Sequence, residues 1–87
     1  MEQLKARVAA VINDHLPGAE VDLEFIPESE KLSGHVISGE FLGLSQRERQ
    51  RILWDVLRAR LTLPEQGALS AILTFTPAEM HALAAAA

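Results

Sequence analysis

Eighty-seven residues, 48% of them hydrophobic and 23% charged, provide apolar surface for one core and too little for two, so a single domain over residues 1–87 is expected. The absence of cysteine excludes disulfides, thiolate zinc sites, cysteine-ligated iron–sulfur clusters and a thiol nucleophile supplied by this chain. A formal charge of −4 disfavours non-specific phosphate binding, which draws on many Lys and Arg contacts, although a local basic face could still engage a polyanion.

Leu4, Val8, Val11, Ile12 and Leu16 recur at helical spacing and Pro17-Gly18 supplies a stop, which predicts an amphipathic helix over residues 1–16. From Glu20 the period changes to two, with Val21, Leu23 and Phe25 on one face of a strand and Glu20, Asp22 and Glu24 on the other. Residues 27–31 begin with a proline and are polar, as the loop of a hairpin would be, and residues 32–38 form its return strand. Gly34 and Gly39 point to a bulge near that strand. Ser45-Gln46-Arg47-Glu48 is a capping box, so a helix is expected to start there and run to about Leu61, burying Ile52, Leu53, Val56 and Leu57. Pro64-Glu65-Gln66-Gly67 reads as a break. Residues 68–75 then form a third strand in which Leu69, Ala71, Leu73 and Phe75 share one face and Ser70, Ile72 and Thr74 the other. Thr76-Pro77-Ala78-Glu79 repeats the capping logic ahead of a short last helix, whose alanines at 84–87 are expected to fray. The sum is an α+β fold of order α-β-β-α-β-α, a three-stranded mixed sheet covered by helices. No leader segment and no apolar run of roughly 18 residues interrupts it, which predicts a cytoplasmic protein without a membrane span.

Candidate chemistry is sparse. His15, His35 and His81 fall in three different elements, so no pair has metal-ligand spacing and no metal or other cofactor is expected. Glu20, Asp22 and Glu24 stand about 7 Å apart along one strand face, but nothing beside them supplies a nucleophile, and a solvated face explains them. Gly39 and Gly43 fit no dinucleotide or phosphate-loop pattern and read as turn glycines. No enzyme and no small-molecule substrate follows.

The helix after Ser45 is more informative. At about 100° per residue, Arg47, Arg51 and Arg58 occupy one narrow sector opposite the apolar face, with Trp54 at its edge. Guanidiniums beside an indole can grip phosphates, stack on a base or dock an acidic partner, and a solvated helix face with a half-buried tryptophan has the same sequence. Arg49 falls instead among Ile52, Leu53 and Val56, where an arginine is ordinarily tethered to carbonyls or a carboxylate. Arg60 leans the same way but sits near the helix end, where it can snorkel.

With the elements placed, Ser38-x-x-Phe41-x-Gly43-x-Ser45-x-x-x-Arg49-x-Arg51-Ile52-Leu53-Trp54-x-x-Leu57, followed by Thr76-Pro77-Ala78-Glu79 after the last strand, resembles the BolA family over roughly residues 32–80. The resemblance implies a class II KH-like fold and a non-enzymatic regulator that pairs with monothiol glutaredoxins, in some members around a shared [2Fe–2S] cluster, with links to DNA binding and transcription control. Three departures stand out. The family's Arg-His-Arg is Arg49-Gln50-Arg51 here, and its cluster-ligand histidine at the start of the third strand falls on Gly67 or Ala68. The loop at 27–31 likewise holds no His or Cys. Cluster binding is therefore not carried over. The expected function is a BolA-like adaptor acting through protein–protein contacts, with Arg47, Arg51, Trp54 and Arg58 and the 27–31 loop as its surface. The alternative is a nucleic-acid-binding transcriptional regulator that uses the same arginines on phosphates.

Overall fold

The computed structural model describes residues 1–86. Chain order is α1 (Glu2–His15), β1 (Glu20–Ile26), β2 (Lys31–Ile37), a 3₁₀ turn (Gly39–Phe41), α2 (Gln46–Arg60), α3 (Leu63–Gly67), β3 (Leu69–Phe75) and α4 (Pro77–Ala86). β2 lies between its neighbours, antiparallel to β1 and parallel to β3, as a hairpin followed by a helical crossover dictates. This is the α+β arrangement with a three-stranded mixed sheet that the sequence predicts.

The core forms where the two periodicities meet. Val8, Val11, Ile12 and Leu16 of the first helical segment and Leu53, Leu57 and Leu61 of the second are buried with Leu23, Leu32, Val36, Leu69 and Ile72 of the sheet. Phe41, from the 3₁₀ turn, is 1% exposed and joins the same cluster, so the short connection after β2 is itself part of the core. In β1 and β2, core-facing residues alternate with residues on the other face of the sheet.

Local capping fixes where the helices begin. The Ser45 hydroxyl accepts from the Glu48 amide at 3.1 Å, and the Glu48 carboxylate accepts from the Ser45 amide at 3.0 Å. Thr62 with Glu65 and Thr76 with Glu79 repeat the device at the starts of α3 and α4. Those backbone N–H groups hold the Glu48 and Glu65 carboxyls below the usual carboxylate range.

Three expectations need correction. Residues 64–67 are not a break: Thr62 caps a five-residue helix, and Pro64 sits in its first turn, where a missing N–H costs nothing. In β3, Leu69, Ala71, Leu73 and Phe75 do not share a face. The β2–β3 register shifts between Leu32 and Gly34, with Leu32 opposite Leu69 but Gly34 opposite Ile72, so the extra β3 residue inverts the alternation. Ile72 and Thr74 consequently point inward, while Leu73 is 56% exposed. On α2, Leu53 and Leu57 are buried, but Ile52 and Val56 are only half-buried and face a groove beside the end of α1. At the C-terminus, α4 extends to Ala86, and Ala87 lies outside the described residues.

The bulge that Gly34 suggests is present, and the glycine is required. A Cβ there would lie 1.9 Å from the backbone oxygen of Asp22 on the paired strand. No described helix is long and apolar enough to cross a membrane.

Candidate functional site

The face of α2 that carries the arginines is turned to solvent. Arg47, Arg51 and Arg58 are exposed, and with Gln50 and half-buried Trp54 they border a shallow depression of about 410 Å³. Helical spacing of i, i+4, i+7 and i+11 brings these four side chains into one stripe. The structure therefore assembles all four residues that the wheel places together.

Ion pairing separates the arginines into two groups. Arg58 Nη2 donates to Asp55 Oδ1 at 2.7 Å, Arg60 Nη2 to Asp14 Oδ2 at 3.1 Å, and Arg7 Nε lies 2.9 Å from Glu65 Oε2. Arg49 is held by Glu79. Among the described residues, Arg47 and Arg51 are the arginines without an acidic partner within salt-bridge distance. They lie about two turns and one turn ahead of Trp54 on the same stripe.

Trp54 is held from behind. Its Nε1 donates to Gln50 Oε1 at 3.1 Å, and Gln50 Nε2 donates to the Ile72 carbonyl at 2.8 Å. One turn earlier, Gln46 Nε2 donates to the Thr74 carbonyl at 3.2 Å and its Oε1 accepts from the Thr74 hydroxyl at 2.7 Å. Two glutamines one turn apart thus tie α2 to β3 and fix the ring with its N–H already used; the ring is half-buried against the core cluster, and its exposed part is left for contact. Sequence reasoning missed both glutamines. Their i, i+4 spacing along the border of the apolar stripe was the available signal, but their acceptors lie on a strand more than twenty residues away.

Arg49 behaves as its position predicts. It is 4% exposed, its Nε donates to the Leu44 carbonyl at 3.0 Å, and its Nη1 and Nη2 donate to the two Glu79 oxygens at 2.6 and 3.1 Å. Its guanidinium carbon also stands 5.8 Å from the Phe41 ring centre. The Arg49 hydrogen bond, followed by the Thr76 amide, lowers the Glu79 carboxyl to about 2. Phe41, Gly43, Ser45, Arg49, Leu57, Thr76 and Pro77 therefore act on the scaffold. Leu57 is buried core, Gly43 takes a left-handed φ of +81° just before the helix cap, and Pro77 opens α4.

A larger concavity of about 500 Å³ lies between the end of α1 and α2, beside Ile52 and Val56. Its charged rim is satisfied internally, by Arg60 on Asp14 and by Asp55 on Arg58. The unpaired arginines lie elsewhere, and the chemistry of the Trp54 stripe outweighs the greater volume of that groove. The three histidines do not converge. His15 and His81 are exposed, and His35 packs edge-on to Phe75 with ring centres 6.2 Å apart. The loop at 27–31 is exposed and turns through Glu30 at a φ of +56°.

The cluster chemistry that the BolA resemblance implies does not fit these residues. Gly67 closes α3 and Ala68 leads into β3, so neither position offers a ligating atom, and 27–31 adds no His or Cys. Among the described residues no group of three or more His, Cys, Asp or Glu side chains could hold a metal ion.

No family model matches the chain, and no curated protein matches it. Solved structures do. BolA1 from Arabidopsis thaliana is similar with a TM-score of 0.69 at 21% identity, over 91% of this chain and 98% of that one. The BolA domain of SufE1 from Arabidopsis thaliana is similar with a TM-score of 0.66 at 21% identity, over 86% of this chain and 93% of that one. The fold of this chain is BolA-like.

Proposed function

We propose that this chain, whose BolA-like fold is the premise, is a non-enzymatic BolA-family adaptor that binds a partner protein through the Arg47–Arg51–Trp54 face of α2. One observation carries the reading: two exposed arginines without acidic partners precede, on the same α2 stripe, a tryptophan whose N–H is already satisfied, while Arg7, Arg49, Arg58 and Arg60 are each engaged within the chain. Tryptophan and arginine are the residues that most often dominate binding energy at protein interfaces, and a braced ring loses little entropy on contact. The partner surface that complements them is acidic and carries an apolar side chain to cover the indole. A monothiol glutaredoxin is the partner class that the BolA resemblance supplies.

The same stripe could meet phosphates, but Glu48 and Asp55 stand on its flank and the chain carries a net charge of −4. Two free arginines give few counterion-releasing contacts. Affinity for a monothiol glutaredoxin, measured by calorimetry, is expected to fall about tenfold or more with Trp54→Ala and about fivefold with Arg51→Ala. Unchanged affinity in both variants would place the interface elsewhere. Tighter binding to duplex DNA than to protein, with a salt slope that drops in Arg51→Ala, would favour the nucleic-acid reading.

A further inference from the structure

The two edges of the sheet are treated differently. On β3, the outward carbonyls of Ile72 and Thr74 are occupied by the Gln50 and Gln46 amides. On β1, the ladder direction can be worked out from β2. Leu32 and Ser38 donate to Ala68 and Phe75 on the β3 side, so the even-numbered β2 residues face β3 and the odd-numbered ones face β1. The register sets Ile37, His35, Ser33 and Lys31 against Glu20, Asp22, Glu24 and Ile26. Val21, Leu23 and Phe25 therefore point their backbone N–H and C=O groups away from the sheet. Among the described residues no side chain bonds to them. Beside this edge runs a groove of about 320 Å³ between β1 and α1, where Ala6 and Ala9 present a low shelf.

We propose that the β1 edge is a second docking site, one that accepts an extended segment of a partner protein as a fourth strand, with basic side chains alternating with small apolar ones. The backbone groups of Val21, Leu23 and Phe25 supply the hydrogen bonds and the side chains on either face supply the choice of sequence. Toward α1, the added strand meets the Ala6 and Ala9 shelf, which admits side chains of about valine size. On the other face it meets Glu20, Asp22 and Glu24, all exposed and none in an ion pair, which match lysine or arginine at alternate positions. The same carboxylates disfavour a second copy. Antiparallel self-pairing about Leu23 would set Asp22 opposite Glu24 on both sides of the axis, a like-charge arrangement that edge strands use to avoid their own kind. The site is separate from the α2 face and does not depend on it.

A peptide of about nine residues alternating lysine and valine tests this, with a glutamate–valine peptide as control. On binding the lysine peptide, the Val21, Leu23 and Phe25 amides should become protected from hydrogen exchange, and raising ionic strength should weaken the complex. Val21→Pro removes one outward N–H without touching the β2 ladder, and is expected to weaken binding about tenfold while the urea midpoint shows the fold retained. Should that variant lose the fold, the Asp22→Lys/Glu24→Lys pair decides instead, by reversing the preference toward the glutamate peptide. Equal binding of both peptides by the parent protein, shifts confined to the α2 face, or binding without protection at the three amides would each overturn the proposal. So would a β1-paired dimer of the free protein in sedimentation.

Discussion

Arg49 and Glu79 carry the clearest consequence at the level of single residues. A carboxyl with its pKa lowered to about 2 contributes stability that is complete above its ordinary value of 4.5 and is lost as pH falls toward about 2. Glu79→Gln should therefore lower the urea midpoint at pH 7, because it leaves the buried Arg49 without its counter-charge. The gap between variant and parent should close as pH approaches about 2, where the parent's Glu79 is itself protonated. Parallel midpoint-versus-pH curves would show that the pair does not hold α4 to α2. The burial of Arg49 was legible in the sequence because a charged residue broke an apolar stripe. The identity of its partner was not, since Glu79 lies thirty positions further on and is brought close by β3 alone. Gly34 is a second test at this scale. With the Asp22 carbonyl oxygen 1.9 Å from where an added methyl carbon would sit, Gly34→Ala should cost about 3 kcal/mol in urea unfolding, at the upper end of overpacking effects, by prying β1 from β2. A change under about 0.5 kcal/mol would mean that the hairpin yields there without strain.

Among the elements, those with local causes were legible. Ser45 with Glu48 and Thr76 with Glu79 announced α2 and α4 because a capping box spans only three residues, and Ser45→Ala should cost about 1 kcal/mol. Thr62→Ala is expected to cost a similar amount by releasing α3, which thermal unfolding of the two variants side by side would check; no effect in either would mean that tertiary packing alone sets these boundaries. Thr62 and Glu65 form the same signal, but Pro64 and Gly67 between and beyond them read as a break, so α3 was missed although its cap was present. β3 failed for a different reason. Its apolar pattern of Leu69, Ala71, Leu73 and Phe75 is a regular period of two, and only the pairing partner imposes the inversion after Leu69. Gly34 marked the site of the bulge from the β2 side, but that the extra residue falls on β3 leaves no mark in a local window. The same limit hid the Gln46 and Gln50 bridges, whose acceptors are β3 carbonyls.

Taken whole, the molecule separates its charges. Unpaired arginines lie on α2 and unpaired carboxylates line β1, while three of the five ion pairs among the described residues, Arg7 with Glu65, Arg60 with Asp14 and Arg49 with Glu79, tie elements to one another. That division is consistent with a small scaffold presenting two faces to other proteins. The absence of a ligating side chain at Gly67 and Ala68 makes the α2 face, and not a metal centre, the basis of the proposed partnership. The chain has one tryptophan, so its indole N–H gives one resolved nuclear magnetic resonance signal that reports directly on the centre of that face. Titration of the labelled protein with a cluster-free monothiol glutaredoxin should move the Trp54 indole and the Arg47 and Arg51 amides together, saturably and at one affinity. Saturable binding that leaves the indole signal in place would contradict the account.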